Sequence, residues 1–375
     1  DWPLLVAFLT LIFFVFFILY SVAFNDEHPN IFSFSEKYGK QIMWICLSLF
    51  LGIIVFLIDS DVYKKFALPI YVVILGLLVL VLFMPPINGA RAWIGIGSMG
   101  IQPAEFAKIT TALLLAKYVG EINLKQLNSN NVLIALIIII IPMILILLQP
   151  DAGTFVVFTA FFFVLYREGL TFDPFILKFV NLIPKVKFKK TWIGSHFIPI
   201  LFVLVFLSLL TILLVHNNIG IIPVLQLFGF VVIILLLISI AGILFIQKFG
   251  TKRERVKVRL IIILSFIIGS ASSFFVEYSF GHLASHQKDR IELFLGLKED
   301  PNGKDYNRNR AMAAVGSGGF SGKGYKNASV SSVKTNHVPE SETDFIFCTF
   351  AEEWGFIGGV VLLLIYLFII IRIIV

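Results

Sequence analysis

The chain has 375 residues, of which 58% are hydrophobic, 15% aromatic and only 14% charged; its mean hydropathy is +0.95. A soluble domain carries about a quarter charged residues, so these figures exclude a cytosolic enzyme, a disulfide scaffold and a disordered chain. The net charge of +7 fits the basic cytoplasmic loops of a membrane protein and argues against a nucleic-acid partner.

A membrane-crossing helix needs about 20 apolar residues. In chain order, spans are predicted over 3–24, 42–58, 66–84, 101–119, 132–148, 154–166, 196–215, 219–246, 260–276 and 345–375. The fourth is interrupted by Glu105, Lys108 and Lys117, so its polar face has to be covered by protein. The result is an all-α polytopic membrane protein of about ten transmembrane helices. It divides into N-terminal helices over 1–166, basic loops with two extra helices over 167–259, and a C-terminal part over 260–375. In that last part a large extracytoplasmic loop, 277–343, precedes the final helix, 344–375. Cys46 and Cys348 lie far apart in apolar segments and read as small core residues.

Orientation follows from the short loops. With residue 1 in the cytoplasm, one set of loops carries Lys64, Lys65, Lys117, Lys125, the run Arg167 to Lys190, and Lys248 to Arg259. The opposite set holds little beyond Lys37, Lys40 and Arg91. The positive-inside rule therefore places the long loop 277–343 outside. That loop is polar and carries G-S-G-G-F-S-G-K-G at 316–324, which predicts a tight, ordered backbone path.

Four constellations carry the polar chemistry. The first is V-P-E-S-E-T-D-F-I-F at 338–347, entering the last span. Thr343 or Asp344 can cap that helix; equally, Asp344 is a carboxylate held at the membrane surface by the positive helix end, able to act as a general base. Glu352 and Glu353, inside the same helix, should face a cavity or a partner in the bundle. Gly355 and Gly359 form a small-xxx-small pair suited to helix packing. The second is R-A-W-I at 91–94 with I-Q-P-A-E-F-A-K at 101–108, where Glu105 and Lys108 share a helix face and can pair. The third is Q-P-D-A-G-T at 149–154. Asp151 either caps the next helix or joins Lys108 and Glu105 in a cluster lining a cavity. The fourth is the basic loop with Arg290, Arg308, Arg310 and Lys323, donors suited to phosphate.

Taken together, these blocks resemble the SEDS family (shape, elongation, division and sporulation), most closely its RodA branch. The motifs that carry the resemblance are Q-P-A-E-F-A-K (102–108), Q-P-D-A-G-T (149–154), R-I-E-L-F-L (290–295), D-P-N-G (300–303), the glycine run 316–324 and P-E-S-E-T-D-F-I-F…A-E-E-W-G-F-I-G (339–358). The resemblance implies a glycosyltransferase of the bacterial cytoplasmic (inner) membrane. Such an enzyme polymerises lipid II into glycan strands at the outer face, for wall elongation and cell shape, beside a class B penicillin-binding protein. The family's catalytic aspartate falls on Asp344, and its conserved acid, lysine and aspartate fall on Glu105, Lys108 and Asp151. Arg91, Arg290, Arg310 and Lys323 are then candidates to meet the departing diphosphate, alone or with a divalent cation such as magnesium or manganese. The chain departs from the family in Glu342, where relatives often have His, in Arg310, where Gln is frequent, and in the two extra spans. The family's last two helices have no counterpart among these residues. Two rival readings are a flippase for lipid-linked precursors, which the intramembrane charges would suit, and a non-catalytic scaffold.

Overall fold

The structure, a computed structural model, describes residues 1–23, 32, 36–86, 91–96, 99–122, 127–180, 195–203, 224–249, isolated positions between 259 and 278, 304–332, 338–339 and 341–374. Its helices are α1 (Trp2–Val22), α2 (Lys37–Leu57), α3 (Ser60–Val81), α4 (Pro103–Glu121), α5 (Ser129–Leu148), α6 (Ala152–Phe158), α7 (Ala160–Arg167), α8 (Asp173–Val180), α9 (Val224–Phe249), α10 (Lys304–Ser317) and α11 (Ile346–Ile374). Among the described residues five of these, α1, α2, α3, α5 and α11, are long and apolar enough to cross a membrane. Helix α4 covers the predicted span 101–119 from Pro103 on, α9 covers 219–246 from Val224 on, with 219–223 outside the described residues, and the span 154–166 is split between α6 and α7 at Thr159. About half of the span 260–276 and most of 196–215 lie outside the described residues. A short hairpin absent from the sequence expectation, β1 (Ile94–Ile96) with β2 (Met99–Ile101), pairs Ile94 with Ile101 ahead of α4.

The helix starts follow from local chemistry. Asp1, Asp59, Asn128 and Asp151 each accept a backbone N–H in the first turn of the helix they cap, and Pro103 opens α4 where its missing N–H costs nothing.

The described residues form two compact units, 59–291 and the combination of 1–58 with 292–375. In the first, α3, α4 and α5 share a core. Ala67, Ala104, Ala107 and Ala135 are buried at their contacts, and Leu78, Ile139 and Ile146 fill the space between. Small residues let helix backbones approach closely where hydrocarbon outside gives no hydrophobic drive. Pro142, inside α5, has no N–H for the carbonyl of Ile138 one turn earlier. The Tyr71 hydroxyl of α3 donates to that oxygen at 2.8 Å and repairs the gap, as a neighbouring helix must in a membrane.

In the second unit α1 and α11 run antiparallel. The Ser21 hydroxyl donates to Glu353 at one end, and Arg372 pairs with Asp1 at 2.6 Å at the other. Phe14 packs edge-on against Phe350 and Trp354 between them. Helix α10 lays Ala311 and Ala314 against Cys348 and Val338.

Tyr71→Phe should therefore lower stability by about 1–3 kcal/mol, the cost of an unsatisfied buried carbonyl. With Pro142→Ala in the background, which restores the N–H, the same change should cost well under half as much. Thermal unfolding of the four proteins in detergent reads this cycle.

Candidate active site

Helix α11 is one helix by its ends and two by its backbone. Gly355 sits at φ 66°, ψ −165°, well outside helical values, so the first turns, carrying Glu352 and Glu353, are offset from the apolar remainder. A break of this kind frees backbone groups that lipid cannot satisfy. The glycine run supplies them. Phe356 N–H donates to the Gly319 carbonyl at 3.0 Å and Ile357 N–H to that of Phe320 at 3.3 Å, while Lys323 N–H and Gly324 N–H donate to the carbonyls of Glu352 and Glu353 at 3.0 and 2.9 Å. This backbone-to-backbone docking leaves no room for side chains. A methyl group on Gly318 would overlap the Ala351 carbonyl, one on Gly322 the Glu353 carbonyl, and one on Gly355 the Gly322 nitrogen. Gly355 thus serves the helix break rather than the helix–helix packing its spacing with Gly359 predicted.

The docked loop is closed by a carboxylate. Glu352 is completely buried and accepts from Lys323 Nζ at 2.6 Å, from the backbone N–H groups of Ser329, Val330 and Ser331 at 2.9, 2.9 and 2.8 Å, and from the Ser329 and Ser331 hydroxyls. Successive N–H groups converging on one anion make a nest. The Lys323 ammonium also donates to the Ser317 and Ser329 hydroxyls at 2.9 and 2.8 Å, so its three N–H bonds are all in use. In the structure this cation holds the loop rather than standing free for a diphosphate. Glu353, also buried, accepts from Ser21 and from the backbone N–H of Lys326. Lys326 adopts a left-handed φ of 63°, and its ammonium lies 4.5 Å from the centre of the Tyr20 ring.

Asp344 stands in the turn that leads into α11, two residues before its first residue, and is exposed. The sequence expectation began the last helix at 344; it begins at Ile346, so Asp344 lies just outside its positive end. Among the described residues no hydrogen bond or ion pair engages its carboxylate. Ser341 is buried beside it, and Lys37 pairs with Glu342 at 2.9 Å. In the same unit Arg310 stacks its guanidinium 3.8 Å from the centre of the Tyr306 ring, one helical turn earlier on α10. Arg290 lies outside the described residues, as do the motifs R-I-E-L-F-L and D-P-N-G.

The other expected residues belong to the unit 59–291. Lys108 and Glu105 form the expected ion pair at 2.8 Å on α4. Asp151 does not join them. It caps α6, accepting from Thr154 N–H at 3.0 Å and from the Thr154 hydroxyl at 2.8 Å, and takes a further bond from Gln102 Nε2 at 3.0 Å. The three-membered cluster is thus replaced by two neighbouring pairs, because the capping bonds and Gln102 already use the Asp151 oxygens. Arg91 is tied at its backbone to the Gln149 carbonyl at 3.2 Å, and its side chain donates to the Leu82 carbonyl at 3.1 Å.

The sequence matches the cell cycle protein family of FtsW, RodA and SpoVE over residues 2–188 and 175–375. The chain belongs to this family. Among the curated members of the FtsW, RodA and SpoVE family, it is 29% identical over 401 residues to the peptidoglycan glycosyltransferase RodA of Treponema pallidum, covering 98% of this chain and 80% of that one. It is 25% identical over 335 residues to the peptidoglycan glycosyltransferase MrdB of Escherichia coli, covering 89% of this chain and 66% of that protein. Its fold matches a chain from a solved peptidoglycan synthase complex, studied for the coordination of polymerization and crosslinking. That match has a TM-score of 0.56 at 22% identity and covers 99% of this chain and 76% of that one. An all-α polytopic membrane architecture is thus the family's as well as this chain's.

The nest around Glu352 predicts an order of damage. Glu352→Gln removes the charge while leaving its donors buried, and should cost about 3–5 kcal/mol, as for a broken buried pair. Lys323→Met leaves the carboxylate its backbone and hydroxyl donors and should cost less than half of that. Thermal unfolding in detergent, with limited proteolysis of 317–332 as a local readout, measures both.

Proposed function

We propose that this chain is a peptidoglycan glycosyltransferase whose general base is Asp344. The observation that carries the assignment is the contrast among the acidic side chains at the head of α11. Glu352 and Glu353 are buried and engaged, Glu342 is paired with Lys37, and Asp344 alone of these four is exposed at the helix mouth. A base must reach the proton it takes, within hydrogen-bond distance of a bound substrate; a carboxylate sealed by its fold cannot.

In the proposed reaction Asp344 takes the proton of the 4-hydroxyl of the acceptor sugar, carried on lipid II at the outer face of the cytoplasmic membrane. The oxygen forms its new bond to the anomeric carbon of the growing strand, the bond from that carbon to the lipid diphosphate breaks, and the diphosphate leaves with the electron pair. Positive charge on the leaving group lowers the barrier at the moment of bond breaking. Arg310, in the same unit as Asp344, is one proposed cation for this role; Arg91, Arg290 and Lys108, which pairs with Glu105, are proposed as further substrate-binding residues. Among the described residues no three His, Cys, Asp or Glu side chains gather as metal ligands. A magnesium or manganese ion, were one to take part, would be held by the oxygens of the substrate's own diphosphate and would supply positive charge to the leaving group. The class B penicillin-binding protein is the proposed partner that cross-links the product.

Asp344→Asn keeps the size and the helix-capping capacity of the side chain but removes its basicity. It should reduce glycan-strand synthesis from purified lipid II by at least about 10²-fold, the usual scale of general-base catalysis, with the thermal midpoint unchanged. Full polymerisation by this variant would reject Asp344, and lipid translocation without polymer from the unaltered chain would support the flippase instead.

A further inference from the structure

Helix α2 is anchored in an unusual way. Its buried residues are Tyr38 and Gly39, both in the first turn, while residues farther along, such as Phe56 and Leu57, are exposed at 87% and 75%. Tyr38 packs edge-on against Tyr20 of α1 at 5.2 Å. Directly before it Lys37 reaches the Glu342 carboxylate, and the two side chains are unequal partners: Glu342 is 14% exposed and Lys37 64%. The acid is therefore the member held in the fold, and the lysine closes over it from a second membrane helix. Ser341, at 2% exposure, fixes the chain just before. The segment that carries Asp344 has no helix or strand of its own to hold it until Ile346.

We propose that the Lys37–Glu342 pair is a positioning clamp, which sets the place of the Asp344 carboxylate from the first turn of α2. Lys37 and Glu342 are positioning residues, acting through Asp344 rather than on substrate. The role rests on the reading of Asp344 as the base. Only Thr343 separates Glu342 from Asp344, a Cα-to-Cα span of about 7 Å at full extension, so a slackened clamp lets the Asp344 carboxylate move by a sizeable fraction of that distance. Displacement by about 1 Å from the reactive geometry can cost on the order of 10²-fold in rate. A pair with one partner this exposed contributes little to overall stability by contrast. The clamp should therefore be visible in kcat and nearly invisible in thermal unfolding.

The test is a charge swap in the full chain, assayed with lipid II, alongside hydrogen exchange of the 341–345 amides, which needs no turnover. Lys37→Glu and Glu342→Lys should each lower kcat by about 10- to 100-fold with KM within about twofold, and should speed exchange at 341–345. The doubly swapped protein, K37E with E342K, should regain kcat to within about threefold of the unaltered chain and restore slow exchange. Unchanged exchange in both single variants overturns the clamp, and so does a double variant no better than the worse single one. A loss confined to KM also overturns it, since that would put these side chains on substrate. If the unaltered chain makes no polymer, the functional reading fails, while the exchange data still decide whether the clamp exists.

Discussion

The constraint on which the rest of the described C-terminal unit depends is the break in α11 at Gly355. A membrane helix can depart from regular geometry only where protein takes up its stranded N–H and C=O groups. Here the loop 318–324 takes them up with its own backbone, at distances that admit no Cβ at Gly318, Gly322 or Gly355. Three separate glycines are thus one requirement. A loop docked by main chain alone would open easily, because each such bond is worth only about 1 kcal/mol net. The Glu352 carboxylate makes the docking cooperative, drawing Lys323 from the start of the loop and Ser329 to Ser331 from its end onto one buried anion.

On the proposal that Asp344 is the base, this arrangement accounts for how a polar turn can present it at a membrane surface. General-base chemistry requires placement to a fraction of an ångström, and turns are poor at holding it. The turn bearing Asp344 is bounded on one side by the rigid first part of α11 and its neighbour α10, through Cys348, Ala311 and Ala314, and on the other by the ends of α1 and α2. The apolar stretch beyond Gly355 provides the anchor in lipid, with Phe356, Leu363 and Ile373 exposed. The break separates the two duties of α11: its head is protein-packed and polar, its tail lipid-facing.

Much of the fold was legible from composition alone, because a run of about 20 apolar residues leaves few alternatives to a spanning helix. The apolar tail of α11 and the body of α5 over 132–148 needed nothing more; the first turn of α5, from Ser129, is set by the Asn128 cap. The starts were less legible, since α2 and α3 extend beyond their apolar runs into Lys37 to Gln41 and Ser60 to Lys65; Asp59 caps α3, whereas Glu36 makes no side-chain cap bond to α2. The exposed carboxylate at the head of the last helix could be read from a polar motif running into an apolar one. The break at Gly355 could not: a glycine one turn from another looks like a packing seam, and only the glycine run at 316–324 hinted at a backbone that needed a bare partner. Nor could counting charges distinguish Lys323, used inside the fold, from a cation awaiting an anion. That depends on where Glu352 points, onto Lys323 and the backbone of residues 329–331.

Four acids described within a few turns of chain, Glu342, Asp344, Glu352 and Glu353, show how environment assigns roles to the same functional group. Glu352 is surrounded by donors and is structural. Glu353 accepts from a hydroxyl of α1 and an amide of the docked loop, and so ties the first helix to the last. Glu342 answers to a single lysine from α2. Each of these three is engaged by partners within the fold. On the proposed assignment, the four carboxylates divide between holding and reacting much as differently placed acids do in other active sites. Of the four, Asp344 is the one left exposed, as the proposed general base has to be.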